Sequence, residues 1–434
     1  MLLRFRLANH RSVRDEVELS LVASTMKGAA PARGDWTSVT VRTSGIYGAN
    51  ASGKSTVIDG LRFMVSAVRR SATAWSERGF FPHYPFVLDA SSTNRPSLYE
   101  LDLTVDGTRY TYGFSSTSVI AEEWLYSYPS GRRRMLFERV VGGKTSFGRH
   151  LAGDNIRISK ALTDSTLYLS LAATNKHPVL LRLYDEISHN IHFAEVDESD
   201  QQTRLRGVIG MLSDERSIRE ATALLRFADV GITNLQVEDT AVSDEMRERL
   251  SKFVDAVREF SDAPADMFSV DQLFEVVRKS LKFVHVREQD SLPALDISQE
   301  SSGTVAWLAL AVPAVESIRS GDIFVVDEVD SSLHPKLSAA LINLFRDRDL
   351  NRTGAQLIFT SHDTSLLGSV HGDLLGADEI WFTEKDAAGV SRLYSLAEFS
   401  TRSKDNFERR YLQGRYGAIP LIAIEELKQA LLAD

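Results

Sequence analysis

One octet constrains this chain more than anything else in it: Gly48-Ala-Asn-Ala-Ser-Gly53-Lys54-Ser55, a match to G-x-x-x-x-G-K-[ST]. An apolar run over 39–47 reads as a strand entering the octet, and the apolar spacing over 56–70 reads as a helix leaving it. Context of that kind turns a pattern into a phosphate cradle. The glycines let backbone N–H groups curl around phosphate oxygens, and the helix start adds the positive end of its dipole. Lys54 then reaches the β- and γ-phosphates, and Ser55 offers a hydroxyl to Mg²⁺. The candidate nucleotide-binding residues are therefore Asn50, Ala51, Ser52, Gly53, Lys54, Ser55 and Thr56, with ATP and Mg²⁺ as the expected ligands.

A second feature gains its meaning from the first. Ile323-Phe-Val-Val-Asp327-Glu328 is an apolar strand ending in two carboxylates, which in isolation is an ordinary strand end. If this strand shares a parallel sheet with the one before the glycine loop, both carboxylates arrive beside the phosphates, because such sheets bind ligands at their C-terminal edge. Asp327 is then expected to hold Mg²⁺ through water, and Glu328 to orient or deprotonate an attacking water.

A chain of 434 residues has room for two or three compact units at roughly 150 residues each. Residues 2–7 read as a strand. Alternating runs over 98–105 and 108–114 flank Asp106-Gly107, a strong hairpin signal, and runs over 124–128 and 134–141 around Pro129-Ser130-Gly131 extend it into a meander. The pattern turns helical over 166–173, 178–191, 217–227 and 244–259, then returns to alternating helix and strand after 286. The expected units are 1–150, an N-terminal ATPase lobe with the meander; 151–285, an inserted helical lobe; and 286–434, a C-terminal ATPase lobe. No heptad pattern persists long enough for a coiled-coil arm, and no period of 20–50 residues repeats.

Composition removes several alternatives. With no cysteine, the chain holds no disulfide framework, thiolate zinc site or cysteine nucleophile. Fifty basic against fifty-nine acidic residues, a net charge of −9, argue against whole-surface attraction to DNA or anionic lipid. Arg4 and Arg6 interrupt the opening apolar run, and the run 305–315 is about half of a membrane span and contains Pro313. A cytoplasmic protein with no membrane partner is expected.

Three further features are weak singly and informative in order. Ser301-Ser302-Gly303-Thr304 opens a predicted helix about 25 residues before Asp327, Ser331-Ser-Leu-His334-Pro follows Glu328, and His362 ends the next strand in Phe359-Thr-Ser-His-Asp363. A Ser-Gly-Thr alone is a helix cap and a lone histidine a bystander. Together they resemble the signature motif, D-loop and switch histidine of ABC-type ATPases. Asn9-His-Arg11-Ser12 and Gly48-Ala-Asn50 are similar to SMC-, RecF- and OLD-type members rather than transporters. More narrowly, Tyr84-Pro-Phe86, the run from Glu328 to Pro335 and the tail from Asn406 to Gly417 resemble compact anti-phage abortive-infection ATPases of the AbiL/RloA kind.

That resemblance implies an α/β fold: a P-loop ABC-type ATPase head with an antiparallel β subdomain and an inserted helical lobe. It adds Arg11, Ser302 and Gly303 to the nucleotide-binding residues and makes Glu328 and His362 catalytic. It also implies a homodimer or higher oligomer closed around ATP, controlling a separate effector protein such as a nuclease. Signature residues contact ATP held by the twin subunit in that arrangement. The departures are a missing Q-loop glutamine, whose location Tyr84-Pro-Phe86 marks; His334 where a D-loop aspartate usually stands; and no C-terminal acidic cluster of the OLD nuclease type. The alternative is a DNA-binding repair clamp of RecF type. The tail residues Arg409, Arg410, Tyr411, Arg415 and Tyr416 mix basic and aromatic side chains suited to nucleic acid, or else strap the tail to the core with solvated arginines. Pro313 is expected to kink or end the signature helix. His189 and His192, three apart on a predicted helix, lack a ligand set and read as ordinary histidines.

Overall fold

The computed structural model describes residues 1–26, 31, 35–194, 205, 207–212, 214–228, 231–239, 252, 279–286, 294–400, 405–420, 424, 428 and 431–432; apart from Lys252, the helix read at 244–259 lies outside them. Among the described residues a six-stranded sheet forms the centre. Its order is Ser391–Ser395, Ile380–Lys385, Thr43–Gly48, Gln356–Thr360, Ile323–Val326, Ile191–Ala194, parallel throughout except for the first strand. The strand entering the glycine loop is thus flanked on both sides.

Both faces of this sheet are buried. Ile46, Ile323, Val325, Ile358 and Trp381 point to one core, with the helices Lys54–Arg70 and Leu180–His189. Tyr47, Phe324, Val326, Leu357, Phe359 and Phe382 point to the other, with the helices Ser302–Ser320 and Pro335–Arg346. Strands covered on both faces read as continuous apolar runs, which is why Ile323–Val326 shows no alternation.

A second sheet, antiparallel and seven-stranded among the described residues, runs Val17–Ser20, Leu2–Ala8, Ser97–Val105, Thr108–Ser116, Ile120–Ser127, Arg134–Val140, Ser146–Phe147. Asp106 and Gly107 both take positive φ, 48° and 74°, the conformation that a tight two-residue hairpin needs. The N-terminal strand belongs here, and it is fastened to the central sheet by a buried side chain. Gln356 accepts from Leu2 N at 2.7 Å and donates to Leu2 O at 2.9 Å.

Glu123 performs a similar task with a charge. Fully buried on the strand Ile120–Ser127, it accepts from Tyr112 OH and from the backbone N–H groups of Tyr168 and Leu169, which begin the helix Tyr168–Thr174. Arg139 lies 3.8 Å away and donates to the carbonyls of Thr163 and Thr166. Burial raises the Glu123 pKa, and Arg139 and the N–H donors oppose that shift. Glu123→Gln keeps the shape but turns an amide donor toward groups that already donate. We expect it to lower stability by about 1–3 kcal/mol, measured as the urea midpoint; an unchanged midpoint would show that the contact is incidental.

The stretch 151–285 departs from its helical reading. The helices Asn155–Ser159, Tyr168–Thr174 and Leu180–His189 pack on the first core, and Ile191–Ala194 then becomes an edge strand of the central sheet. Further on, the helix Glu215–Phe227 covers a small antiparallel sheet of Ile232–Asp239, Lys279–His285 and Leu295–Asp296. A four-residue strand is too short to show a period, and the other pairing joins segments about 45 residues apart, so neither leaves a local signal. Trp307 of the helix Ser302–Ser320, fully buried, donates to Leu224 O at 2.8 Å and ties this lobe to that helix. The helix continues through Pro313 rather than ending there.

The tail is strapped to the core. Tyr411 stacks on Phe382 with centroids 5.2 Å apart, Tyr416 lies 5.7 Å from the same ring, and both are buried. His192, on the edge strand, pairs with buried Asp322 at 3.0 Å, and His189 pairs with Asp185 at the surface at 3.5 Å. No described helix is long and apolar enough to cross a membrane.

Candidate functional site

The loop 48–53 leaves its strand through Gly48 at φ 155° and enters its helix through Gly53 at φ 113°. At Gly48 a Cβ would stand 2.4 Å from Thr383 O, and at Gly53 2.4 Å from the Ser391 hydroxyl. Only glycine fits at either turn. Lys54, 5% exposed, folds back over the loop and donates to Gly48 O at 2.9 Å and Ala49 O at 3.0 Å. Burial lowers its pKa, while Glu328, Asp327 and Asp330 act to raise it.

Two neighbouring strands deliver the acidic and imidazole groups. After Ile323–Val326 the chain turns sharply, with Glu328 at φ 55°, a strained conformation of the kind that concentrates at functional sites. Thr360, ending the next strand, secures the turn: its hydroxyl donates to Asp327 Oδ1 at 2.5 Å and accepts from Glu328 N at 2.7 Å. Asp330 accepts the backbone N–H of His362 at 3.2 Å. His362 therefore stands between the two charged groups. Its Nδ1 is 3.5 Å from Lys54 Nζ and its Nε2 is 3.7 Å from Glu328 Oε1. An ammonium facing Nδ1 favours the tautomer that carries its proton on Nε2, directed at Glu328.

The N-terminal loop closes another side. Arg11, at φ 48°, pairs with Asp59 of the P-loop helix at 2.5 Å and lies over the Tyr84 ring, 5.5 Å from its centroid. Buried His10 bonds the same carboxylate at 2.8 Å and Tyr99 OH at 2.8 Å. Ser12 bridges Thr56 at 3.0 Å and Ser391 at 2.9 Å.

Arg11, Asn50, Ala51, Ser52, Gly53, Lys54, Ser55, Thr56, Glu328 and His362 consequently line one cleft of about 380 Å³. Asp327, held by Thr360, is not among the residues that line it. Ser302 and Gly303 do not line the cleft: they lie at the tip of their own helix, capped by Ser301, which accepts from Thr304 N at 3.1 Å. Gly303 adjoins the turn that follows Glu328, with Ser332 O 3.5 Å from where its Cβ would be. His334 caps the helix Pro335–Arg346 by accepting from Lys336 N. Ser12 and Lys385 also line the cleft, although sequence reasoning assigned them no ligand. Lys385 was findable in principle, as the last residue of a parallel strand beside the P-loop strand.

Thr360→Val removes the bridge while preserving volume. With the Asp327–Glu328 turn losing the hydroxyl that holds both residues, we expect turnover to fall about tenfold with nucleotide affinity nearly unchanged. Steady-state kinetics beside a binding isotherm check this; equal loss in both would place the hydroxyl in ligand binding.

A glycine cradle at a strand C-terminus, a buried lysine, and a carboxylate and histidine from adjacent strands define a P-loop nucleotide-binding domain. The chain belongs to the family described as "AAA domain, putative AbiEii toxin, Type IV TA system", whose model matches residues 44–140 and 177–368. Among solved structures it is similar to the SMC head domain from Thermotoga maritima, at 12% identity and TM-score 0.38, with 91% of this chain and 98% of that one covered. The Smc head domain with an extended coiled coil, bound to the C-terminal domain of ScpA, from Pyrococcus furiosus matches equally at 12% and 0.38, covering 91% and 96%. No curated protein matches the chain.

Proposed function

We propose that this protein is a cytoplasmic ATP-hydrolysing switch that dimerises around ATP and, through that dimer, controls a separate effector, with a nuclease in anti-phage defence as the leading candidate. The carrying observation is the division of the site. Glu328 and His362, 49% and 37% exposed, face an open cleft, while the Ser302–Gly303 helix tip stands outside it. A second copy would supply its own tip to the open side, placing helix N–H groups on the terminal phosphate. Turnover then removes the group that joins the halves.

The residues suit the ligands. The glycine cradle has no room for a side chain, and Lys54 holds a buried positive charge beside it. Ser55, exposed on the first turn of the helix, and Asp327 are hard oxygen donors, and they would hold Mg²⁺. Among the described residues no cluster of three or more His, Cys, Asp or Glu could hold a metal by protein ligands alone. Two donors completed by phosphate oxygens and water fit Mg²⁺, which when bound would offset negative charge on the phosphates. Glu328 would accept a proton from water, and His362, held by Asp330 at its backbone, would present Nε2–H toward that same position.

Burial of Tyr411 and Tyr416 takes both tail tyrosines out of reach for stacking on bases, which weighs against the DNA-clamp alternative. The test uses Gly303→Asp. The new Cβ would stand 3.5 Å from Ser332 O, an ordinary van der Waals distance. Light scattering should show wild type dimerising with ATP and not ADP, and the variant binding ATP as a monomer. A variant that dimerises normally would remove the signature from the mechanism.

A further inference from the structure

We propose that Lys385 binds the inner end of the nucleotide, at the α-phosphate and ribose, and sets affinity without taking part in hydrolysis; this rests on the ATPase reading above. Three cations line the cleft, and two already have partners. Arg11 is paired with Asp59, and Lys54 is bonded to the carbonyls of Gly48 and Ala49. Lys385, exposed at the mouth, has no ion pair or side-chain hydrogen bond among the described residues.

Two acids flank it in sequence and neither pairs with it: Glu384 alternates to the opposite face of the strand, its Oε2 3.3 Å from where a Cβ on Gly417 would stand, and Asp386 is occupied. Asp386 accepts from the backbone N–H groups of Ala388 and Val390, at 2.9 and 3.0 Å, and lies 3.9 Å from Arg392. The turn 386–390 keeps that carboxylate for itself and leaves the lysine charge uncompensated.

Strand order says which part of the ligand the charge meets. Glu328 and His362 follow the strands Ile323–Val326 and Gln356–Thr360, on one side of the P-loop strand, whereas Lys385 ends the strand on its other side. A triphosphate with its terminal phosphate toward Glu328 runs across the loop with its nucleoside end toward Lys385. The position is anchored by the cradle itself. Ser391, directly across the ladder from Lys385, abuts Gly53 and accepts no slack: its N–H donates to Ser12 O at 2.7 Å and its hydroxyl to Ser12 at 2.9 Å. Lys385 is therefore held in register with the loop rather than on a free hairpin.

Calorimetric titration of full-length wild type, Lys385→Gln and Lys385→Arg with ATP and with ADP tests the assignment, alongside turnover at saturating ATP. Lys385→Gln should bind both nucleotides about tenfold more weakly, to the same degree because both carry the α-phosphate, with the effect shrinking as salt rises. Turnover at saturation should stay within about twofold, and Lys385→Arg should recover most of the affinity. Equal affinities for wild type and Lys385→Gln overturn the assignment while leaving the ATPase reading intact. Weakening confined to ATP also overturns it, by moving the lysine to the terminal phosphate. A wild-type protein that binds neither nucleotide removes both.

Discussion

Glu328→Gln is expected to bind ATP as tightly as wild type, to hydrolyse it about 10²–10⁴ times more slowly, and to accumulate as an ATP-bound dimer. The amide is nearly isosteric with the carboxylate, so the strained turn at φ 55° and its bond to Thr360 have no reason to change. What disappears is the ability to take a proton from water. Nor should affinity suffer. Glu328 is the largest of the acidic influences on Lys54, and removing that charge leaves more of the lysine's field for the phosphates. Single-turnover hydrolysis separates the chemical step from release, and light scattering in ATP follows the dimer. A wild-type rate in this variant would show that Glu328 is not the base and direct attention to His362, which is 3.7 Å away.

Lys54→Ala should fail at the earlier step, losing nucleotide binding by about a hundredfold or more, because a charge-assisted hydrogen bond from a buried lysine is among the strongest that a protein makes. The substitution also strips a donor from Gly48 O and Ala49 O, so the loop loses the group that holds it closed as well as its charge. The expected phenotype is a folded monomer with ATP and with ADP alike. Direct titration with a fluorescent ATP analogue reads the loss, and circular dichroism confirms the fold. Retained binding would mean that backbone N–H groups suffice and the lysine serves the transition state. The lowered pKa of this lysine adds a pH signature. Phosphate needs the protonated amine, so wild-type affinity should decline on the alkaline side, at a lower pH than an ordinary lysine would lose its proton. Bound phosphate pulls the pKa back up, so the decline is steeper for association than for the complex once formed.

Each of the two variants isolates a residue that was legible before any coordinates. The cradle and its lysine occupy eight consecutive positions, and Asp327-Glu328 follow their strand directly, so their chemistry is written in local backbone order. The central strands and the meander were readable for the same reason, through runs of apolar residues and the Asp106-Gly107 turn. The lobe was harder. Its small sheet pairs Ile232–Asp239 with Lys279–His285 across a long separation, and Ile191–Ala194 is a strand because of where it docks and not because of its own four residues. Arginines and tyrosines in the tail showed the opposite ambiguity, since the same alternation suits a nucleic-acid face or a packed strap. Stacking on Phe382 decided for the strap.

Sequence alone determined that this chain carries a phosphate cradle and a strand-end pair of carboxylates, because each is a contiguous segment whose geometry follows from glycine freedom, helix polarity and strand direction. Only the tertiary structure decided that Thr360 bridges the two acids, that Asp59 holds Arg11, and that Lys385 and Ser12 join the same cleft. Those groups stand tens to hundreds of residues apart. Their meeting depends on sheet order and ladder register, which arise from the packing of two cores at once and leave no local period to read.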